Sequence, residues 1–192
     1  MGRVKEFDPD VALRAAMDLF WRQGYEATSM QDLVDHLGLG RGSIYATFGG
    51  KHDLFLRAFE RYVDDARAGL LDQLSAPGSS LDAVKSLVRW YAQTASDDEQ
   101  RKGCFMTNTA VEVPEDRDAG RLVTSSLEDM ETVLTAALMR ARSEGELPAD
   151  RDPVALARFL VTVLQGIRVV GKTSIRRRFL DDTVAQALSV FD

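Results

Sequence analysis

One cysteine, two histidines and five prolines in 192 residues leave little room for several kinds of protein. A single cysteine, Cys104, permits no disulfide framework within the chain and suits a reducing compartment. His36 and His52 both stand far from that cysteine, no metal-ligand spacing is present, and neither a phosphate-binding loop nor a nucleophile elbow occurs. Catalysis would have to rest on carboxylates alone, so the chain reads as a non-enzyme without cofactor or metal. No apolar run reaches the ~18 residues of a membrane span, and the opening MGRVKEFDPD lacks the apolar core of a signal peptide. No membrane partner and a cytoplasmic location are therefore expected. A basic excess is missing as well: the net charge is -6 and the pI about 5.0. Such acidity discourages non-specific adhesion to nucleic acid, so any contact with it must rest on a small local patch.

What is present is helical. Hydrophobic residues make up 45% of the chain, enough for a sizeable core in one large or two small domains. β-Branched residues rarely alternate with polar ones, which predicts an all-α fold of about nine helices. Residues 28–48, TSMQDLVDHLGLGRGSIYATF, carry the sharpest local signal. Thr28 and Gln31 have the spacing of a capping box. Met30, Leu33, Val34 and Leu37 then form a single apolar stripe. Gly38 falls where a helix must stop in the left-handed region. A second short helix follows, with Ile44 and Phe48 inward and Arg41, Gly42, Ser43, Tyr45 and Thr47 outward. Two short helices about a glycine turn are how a protein lays one helix in a DNA major groove. His36, Arg41, Lys51, His52 and Arg57 cluster around the motif, opposed nearby only by Asp35 and Asp53.

The preceding helix is predicted to open with Asp8 as cap and Pro9 in its first turn, to bury Leu13, Ala16, Met17 and Phe20, and to end at Gly24. A long helix from Lys51 to about Leu74 turns Leu54, Phe55, Ala58, Phe59 and Tyr62 inward, and the run at 76–80 is a loop. Further helices are expected near 81–96, 104–112, 118–144, 153–171 and 174–191. Residues 1–52 read as the DNA-binding domain and 53–192 as a helical effector-binding and dimerisation domain, joined through the long helix rather than a flexible linker.

The Gly24-Tyr25 step, the GRGSIYATF run and the KHDLF that opens the next helix resemble the TetR family of bacterial transcriptional regulators, most strongly over residues 7–56. The resemblance implies a homodimeric regulator, commonly a repressor, with a DNA-binding N-terminal domain and an effector-binding C-terminal one. Gly40 stands where many members carry a serine or threonine cap; glycine serves there at a small penalty.

Arg41, at the groove-entering end of the recognition helix, is the first candidate for guanine recognition through its planar fork; a phosphate contact or a solvated arginine is the alternative. Ser43 and Thr47 can meet base edges or phosphates, and Gly42 permits close backbone approach. Tyr45 and Lys51 resemble the family's phosphate-clamping positions. Thr28 and Ser29 can bind phosphate while capping their helix, His52 can supply one more donor, and Arg3 with Lys5 form a basic tail within reach of a minor groove.

The helix at 153–171 carries Val154, Leu156, Phe159, Leu160, Val161, Val163, Leu164, Ile167, Val169 and Val170, almost without a polar face. A helix apolar all round is buried all round. With little chain to cover it, a homodimer interface is expected at Val161, Leu164, Val169, Phe179, Val184 and Leu188, and in the family these two helices form such an interface. Arg176, Arg177 and Arg178 read as a solvated ion-pair face, since Asp181 and Asp182 follow Arg177 and Arg178 at i+4.

A small-molecule pocket is expected among helices five to eight, at Trp90, Cys104, Phe105, Met106, Asn108, Thr109, Met130, Leu134, Phe159, Val163 and Gly166. The same residues at helical spacing also suit plain core. Cys104 follows Arg101, Lys102 and Gly103 at a helix start, where cations and the dipole favour a thiolate; an electrophile sensor and a small buried hydrophobe both fit it. Taken together, the sequence reads as a ligand-responsive repressor released from a palindromic operator by a small-molecule or electrophile effector. An effector-independent DNA-binding or partner-binding helical protein is the alternative.

Overall fold

A computed structural model describes residues 7–174 and 177–191, so Arg3, Lys5 and Arg176 lie outside the described residues. Those described form helices without a strand: α1 Pro9–Gln23, α2 Met30–Leu37, α3 Arg41–Phe48, α4 Lys51–Ser75, α5 Ser80–Ser96, α6 Phe105–Glu112, α7 Arg117–Ser143, α8 Pro153–Gly171 and α9 Arg177–Leu188, closed by a 3-10 turn Ser189–Phe191.

Local chemistry explains most boundaries. Asp8 caps α1 by accepting from the Asp10 N–H, with Pro9 in the first turn, and Gly24 ends the helix. Asp116 caps α7 by accepting from the N–H groups of Asp118 and Ala119, and Asp152 caps α8 ahead of Pro153. Gly38 closes α2 at φ 64°, a conformation glycine enters without Cβ strain. The capping box of α2 lies one residue later than the sequence suggests. Ser29 and Asp32 form it reciprocally, while Thr28 is fully buried and donates its hydroxyl to the Gly24 carbonyl at 2.6 Å. Gln31 instead donates to Asp35. Serine and aspartate satisfy the same spacing, and burial decided which pair uses it.

The core has two main parts. The first joins Ala16, Phe20, Leu33, Ile44, Phe48, Leu54, Phe55 and Phe59 to Phe105, Met106 and Ala119, so α6 and the start of α7 complete the N-terminal helices. The second holds Leu74, Val84, Leu87, Leu134, Leu138, Leu160 and Leu164 between α4, α5, α7 and α8. In α1, Ala12 and Leu19 are the buried partners of Ala16 and Phe20, while Leu13 and Met17 are only half-buried. The helix is thus rotated slightly from the expected stripe. Burial of aromatics near 150–250 Å² each dominates such a core, and Phe20, Phe55, Phe59 and Phe105 are all fully buried.

Helix α8 needs a correction. Its apolar residues are interrupted in sequence, yet it is 19 residues long with a mean hydropathy of 1.6, long and apolar enough to cross a bilayer by length and composition. Nor is it buried all round, since only 22% of that stretch is covered by the chain. Ala157, Leu160, Leu164 and Ile167 face the core, whereas Phe159 and Val169 are exposed. Phe179 on α9 is exposed too.

Candidate nucleic-acid interface and aromatic cavity

Helix α3 is held by Ile44 and Phe48, both buried, and this fixes which side faces outward. Arg41, Gly42 and Tyr45 are exposed, with Ser43 and Thr47 half-exposed beside them. No side chain caps the helix at Gly40; the Ser43 N–H donates to the Gly40 carbonyl at 2.9 Å. Just behind, the Lys51 ammonium lies 4.2 Å from the centre of the Tyr25 ring, and Arg57 donates to the Thr47 carbonyl while its guanidinium lies over Phe48. Ser29 is exposed at the start of α2. The result is an exposed helix end with three cations around it. Two expected members do not join. Thr28 is sealed in the core, and the His52 ring nitrogen Nε2 sits 2.6 Å from Asp116 Oδ2. Hydrogen bonds from its own helix start, then the His52 contact, hold the Asp116 carboxyl below its ordinary value despite opposing desolvation.

That histidine contact ties the N-terminal helices to the α6–α7 corner, and a carboxylate does the same. Glu112, at the end of α6, accepts from the backbone N–H groups of Tyr25 at 3.1 Å and Glu26 at 2.9 Å. The carboxylate presses on Gly24 so closely that an added Cβ there would lie 2.5 Å from Glu112 Oε1. Gly24, at φ 89°, therefore answers both to its own turn and to the approach of a side chain from 88 residues away.

A cavity of about 400 Å³ opens between α1, α4, α5 and α8. Met17 and Trp21 come from α1, Tyr62, Asp65, Gly69 and Leu70 from α4, and Leu87, Trp90 and Tyr91 from α5. Arg168 of α8 and Cys104, the N-cap of α6, complete the wall. The chain's two tryptophans are Trp21 and Trp90, so both line this space. Tyr62 donates its hydroxyl to the Cys104 sulfur at 3.4 Å. Burial, then the neighbouring thiol, push the Tyr62 phenol well above its usual range. Burial likewise pushes Tyr91 up to about 12, with Arg168 working against it. Both phenols are neutral donors at physiological pH. The Arg168 guanidinium lies 4.5 Å from the centre of the Tyr91 ring and 5.4 Å from that of Trp90.

Of the expected pocket residues, Trp90 and Cys104 line this cavity; the others do not. Phe105, Met106 and Thr109 are buried in α6, and Met130 and Leu134 belong to the second core. Asn108 bridges Lys172 and the Lys102 carbonyl on another face. Phe159 and Val163 line an open hollow shared with α9, and Gly166 is exposed. Helical periodicity reports inward or outward but not toward which neighbour, so core and cavity wall look alike in sequence. Met17 and Tyr62 showed as inward residues; Trp21, Tyr91 and Arg168 gave no signal. Lys102 is taken by Asp18 and the Trp21 ring rather than by the thiol. At the expected dimer face, Val161, Val184 and Leu188 are half-buried and Val169 and Phe179 exposed, but Leu164 is fully buried in its own chain and cannot meet a partner. Arg178 approaches Asp182 as expected, whereas Arg177 donates to Gln93 instead of pairing with Asp181.

Comparison with known proteins agrees with this geometry. Residues 12–58 match the sequence model of bacterial regulatory proteins of the tetR family, and residues 80–186 match that of the tetracyclin repressor-like C-terminal domain. The chain is 37% identical to an uncharacterized HTH-type transcriptional regulator, YezE of Bacillus subtilis, over the full length of both. It is 35% identical to the HTH-type transcriptional repressor ComR of Escherichia coli, across 88% of this chain and 81% of that protein. Among solved structures it superposes with a TM-score of 0.87, at 30% identity and complete coverage of both chains, on a cysteine-substituted form of the regulator CifR complexed with a 26-base-pair double-strand operator DNA.

Proposed function

Since the chain belongs to the tetR family of bacterial regulatory proteins and is a DNA-binding transcriptional regulator rather than an enzyme, we propose that it acts in the cytoplasm as a homodimeric repressor released from a palindromic operator by a small molecule. Residues 1–52 are assigned to DNA binding and 53–192 to effector binding and dimerisation, with α4 as the joint. In this reading Arg41 reads a base, Ser43, Tyr45, Thr47 and Lys51 hold the phosphates, and Ser29 adds one contact from α2. Val161, Val169, Phe179, Val184 and Leu188 form the dimer face, where apolar side chains stay open on a single chain.

The observation that carries the effector reading is the shared wall of the cavity. Met17 and Trp21 belong to the helix that packs behind the DNA-binding pair, and they face Trp90, Tyr91 and Arg168 of the C-terminal helices across one space. A ligand there favours one placement of α1 and α4 over another, which is how a binding event changes DNA affinity. Helix α6 supplies a second route, because Cys104 at its start touches the cavity and Glu112 at its end holds the Tyr25–Glu26 turn. An electrophile adding to Cys104 would act along the same route, with the thiol as its target.

Footprinting of the DNA upstream of the gene, with and without candidate effectors, tests the reading. A protected palindrome whose half-sites lie ~34 Å apart or a near multiple is the expected result. Absence of any protected site, or protection that no cavity ligand alters, would overturn the repressor or the effector part respectively.

A further inference from the structure

The cavity walls are aromatic, yet their charges do not cancel. Asp65, the acidic residue at the mouth, is held by Arg61 at 3.1 Å. Arg168 has rings on its faces and no carboxylate within ion-pair distance among the described residues. A half-buried guanidinium without a counter-ion is costly unless an anion joins it. The rings cover the faces of the guanidinium; its edge meets the Tyr91 oxygen at one point, and the remaining edge donors suit a planar acceptor. The phenol of Tyr91 stands beside it as a neutral donor. The remaining surface, from Met17, Trp21, Leu70, Leu87 and Trp90, suits an apolar body.

We propose that the cavity takes a small monocarboxylic acid with an aromatic or compact apolar body, its carboxylate held by Arg168 and its body stacked between Trp21 and Trp90. One uncompensated cation matches one negative charge. Arg168 is the one cation among the lining residues, so the second charge of a phosphate dianion would go unmatched. This rests on the effector reading above and names the chemistry of that site. It also orients the ligand: an acid anchored on α8 projects its body toward α1, the helix of the DNA-binding domain.

The two tryptophans make the test direct, since both line the cavity. Full-length protein is titrated with phenylacetate, phenylacetamide and phenyl phosphate, following tryptophan fluorescence and confirming each by calorimetry. Phenylacetate should quench saturably, with the amide and the phosphate weaker by about tenfold or more. Arg168→Gln should raise the dissociation constant of the acid about ten- to hundredfold. Arg168→Lys, which keeps the charge but loses the fork, should fall between, and Tyr91→Phe provides a milder variant that retains the ring. Thermal melting checks that each variant is folded. The proposal is overturned if the amide binds as tightly as the acid, if Arg168→Gln binds the acid like the parent, or if the acid gives no saturable signal at millimolar concentration. Operator binding is measured in parallel. An acid that binds through Arg168 without altering operator affinity would support this site chemistry and overturn the effector reading. Release of the operator by the neutral amide alone would do the reverse.

Discussion

Arg41 and Lys51 are both cations at helix starts, but their surroundings differ. Arg41 is exposed on α3 with no acidic partner among the described residues, free to reach a base edge. Lys51 lies on the Tyr25 ring at the positive end of α4, where a cation opposes the helix dipole until a phosphate joins it. Arg41→Ala should therefore cost about 1–3 kcal/mol and relax preference at one base pair per half-site. Lys51→Ala should weaken all DNA sequences alike and lower the salt slope by about one. Competitive binding to specific and random duplexes at several salt concentrations separates the two; equal losses on both duplexes for Arg41→Ala would refute its reading role. Tyr91 offers a residue-level test of the cavity. Its native phenol ionises near 12 against an ordinary 10.0. A raised acid pKa contributes stability that is complete below pH 10 and lost as pH climbs through 12. Ultraviolet titration should show late tyrosinate ionisation from both Tyr62 and Tyr91, and Tyr91→Phe should remove the Tyr91 step. Arg168→Gln should delay it further, because the guanidinium favours the tyrosinate.

At the scale of elements, α6 is a short strut between two places that must communicate. Eight residues span ~12 Å at 1.5 Å per residue, with Cys104 at the cavity end and Glu112 at the DNA-binding end. Glu112→Ala leaves two backbone amides, of Tyr25 and Glu26, without their acceptor and should cost about 1–2 kcal/mol. Hydrogen exchange at those amides should accelerate more than elsewhere in α1 and α2, while Glu112→Gln, which keeps an acceptor oxygen, should lie closer to the parent. Unchanged exchange in Glu112→Ala would show that the turn holds itself. The Asp116 cap adds a pH dependence of opposite direction to that of Tyr91. Its native pKa lies below the ordinary 3.8, so its contribution is complete above that value and is lost as pH falls through it toward the lowered native value. Asp116→Asn should flatten the acid limb of a thermal-stability profile.

The whole molecule adds the requirement that two recognition helices meet successive major-groove faces at a fixed separation. The exposed aromatic and aliphatic side chains Phe159, Val169 and Phe179 mark the face that would set it. Val169→Asp should yield folded monomers that lose operator affinity, observed by sedimentation together with circular dichroism. Leu164→Asp places a charge in a fully buried site, a cost of several kcal/mol, and should unfold the C-terminal half rather than dissociate it. Full operator affinity in a monomeric Val169→Asp would show that separation is not what selects the site.

Local sequence determined what depends on neighbours along the chain. Gly24 and Gly38 as helix stops, Asp8 and Asp152 as caps ahead of prolines, and the inward Ile44 and Phe48 all follow from backbone geometry and a period near 3.6. These were enough for the helical fold and the outward face of α3, and the resemblance of the same stretch to known regulators reached the family. Tertiary structure decided what depends on distance in space. It chose Ser29 over Thr28 by burying the latter, gave His52 a partner 64 residues away, and set Glu112 against Gly24. It also brought Tyr62, read from the sequence as core, together with Trp21 and Tyr91, which gave no signal, as walls of a cavity, and left Arg168 among them without a counter-ion among the described residues. A side chain's period fixes the side of the helix on which it lies; only the packing of the other helices decides whether that side meets a neighbour, a ligand or water.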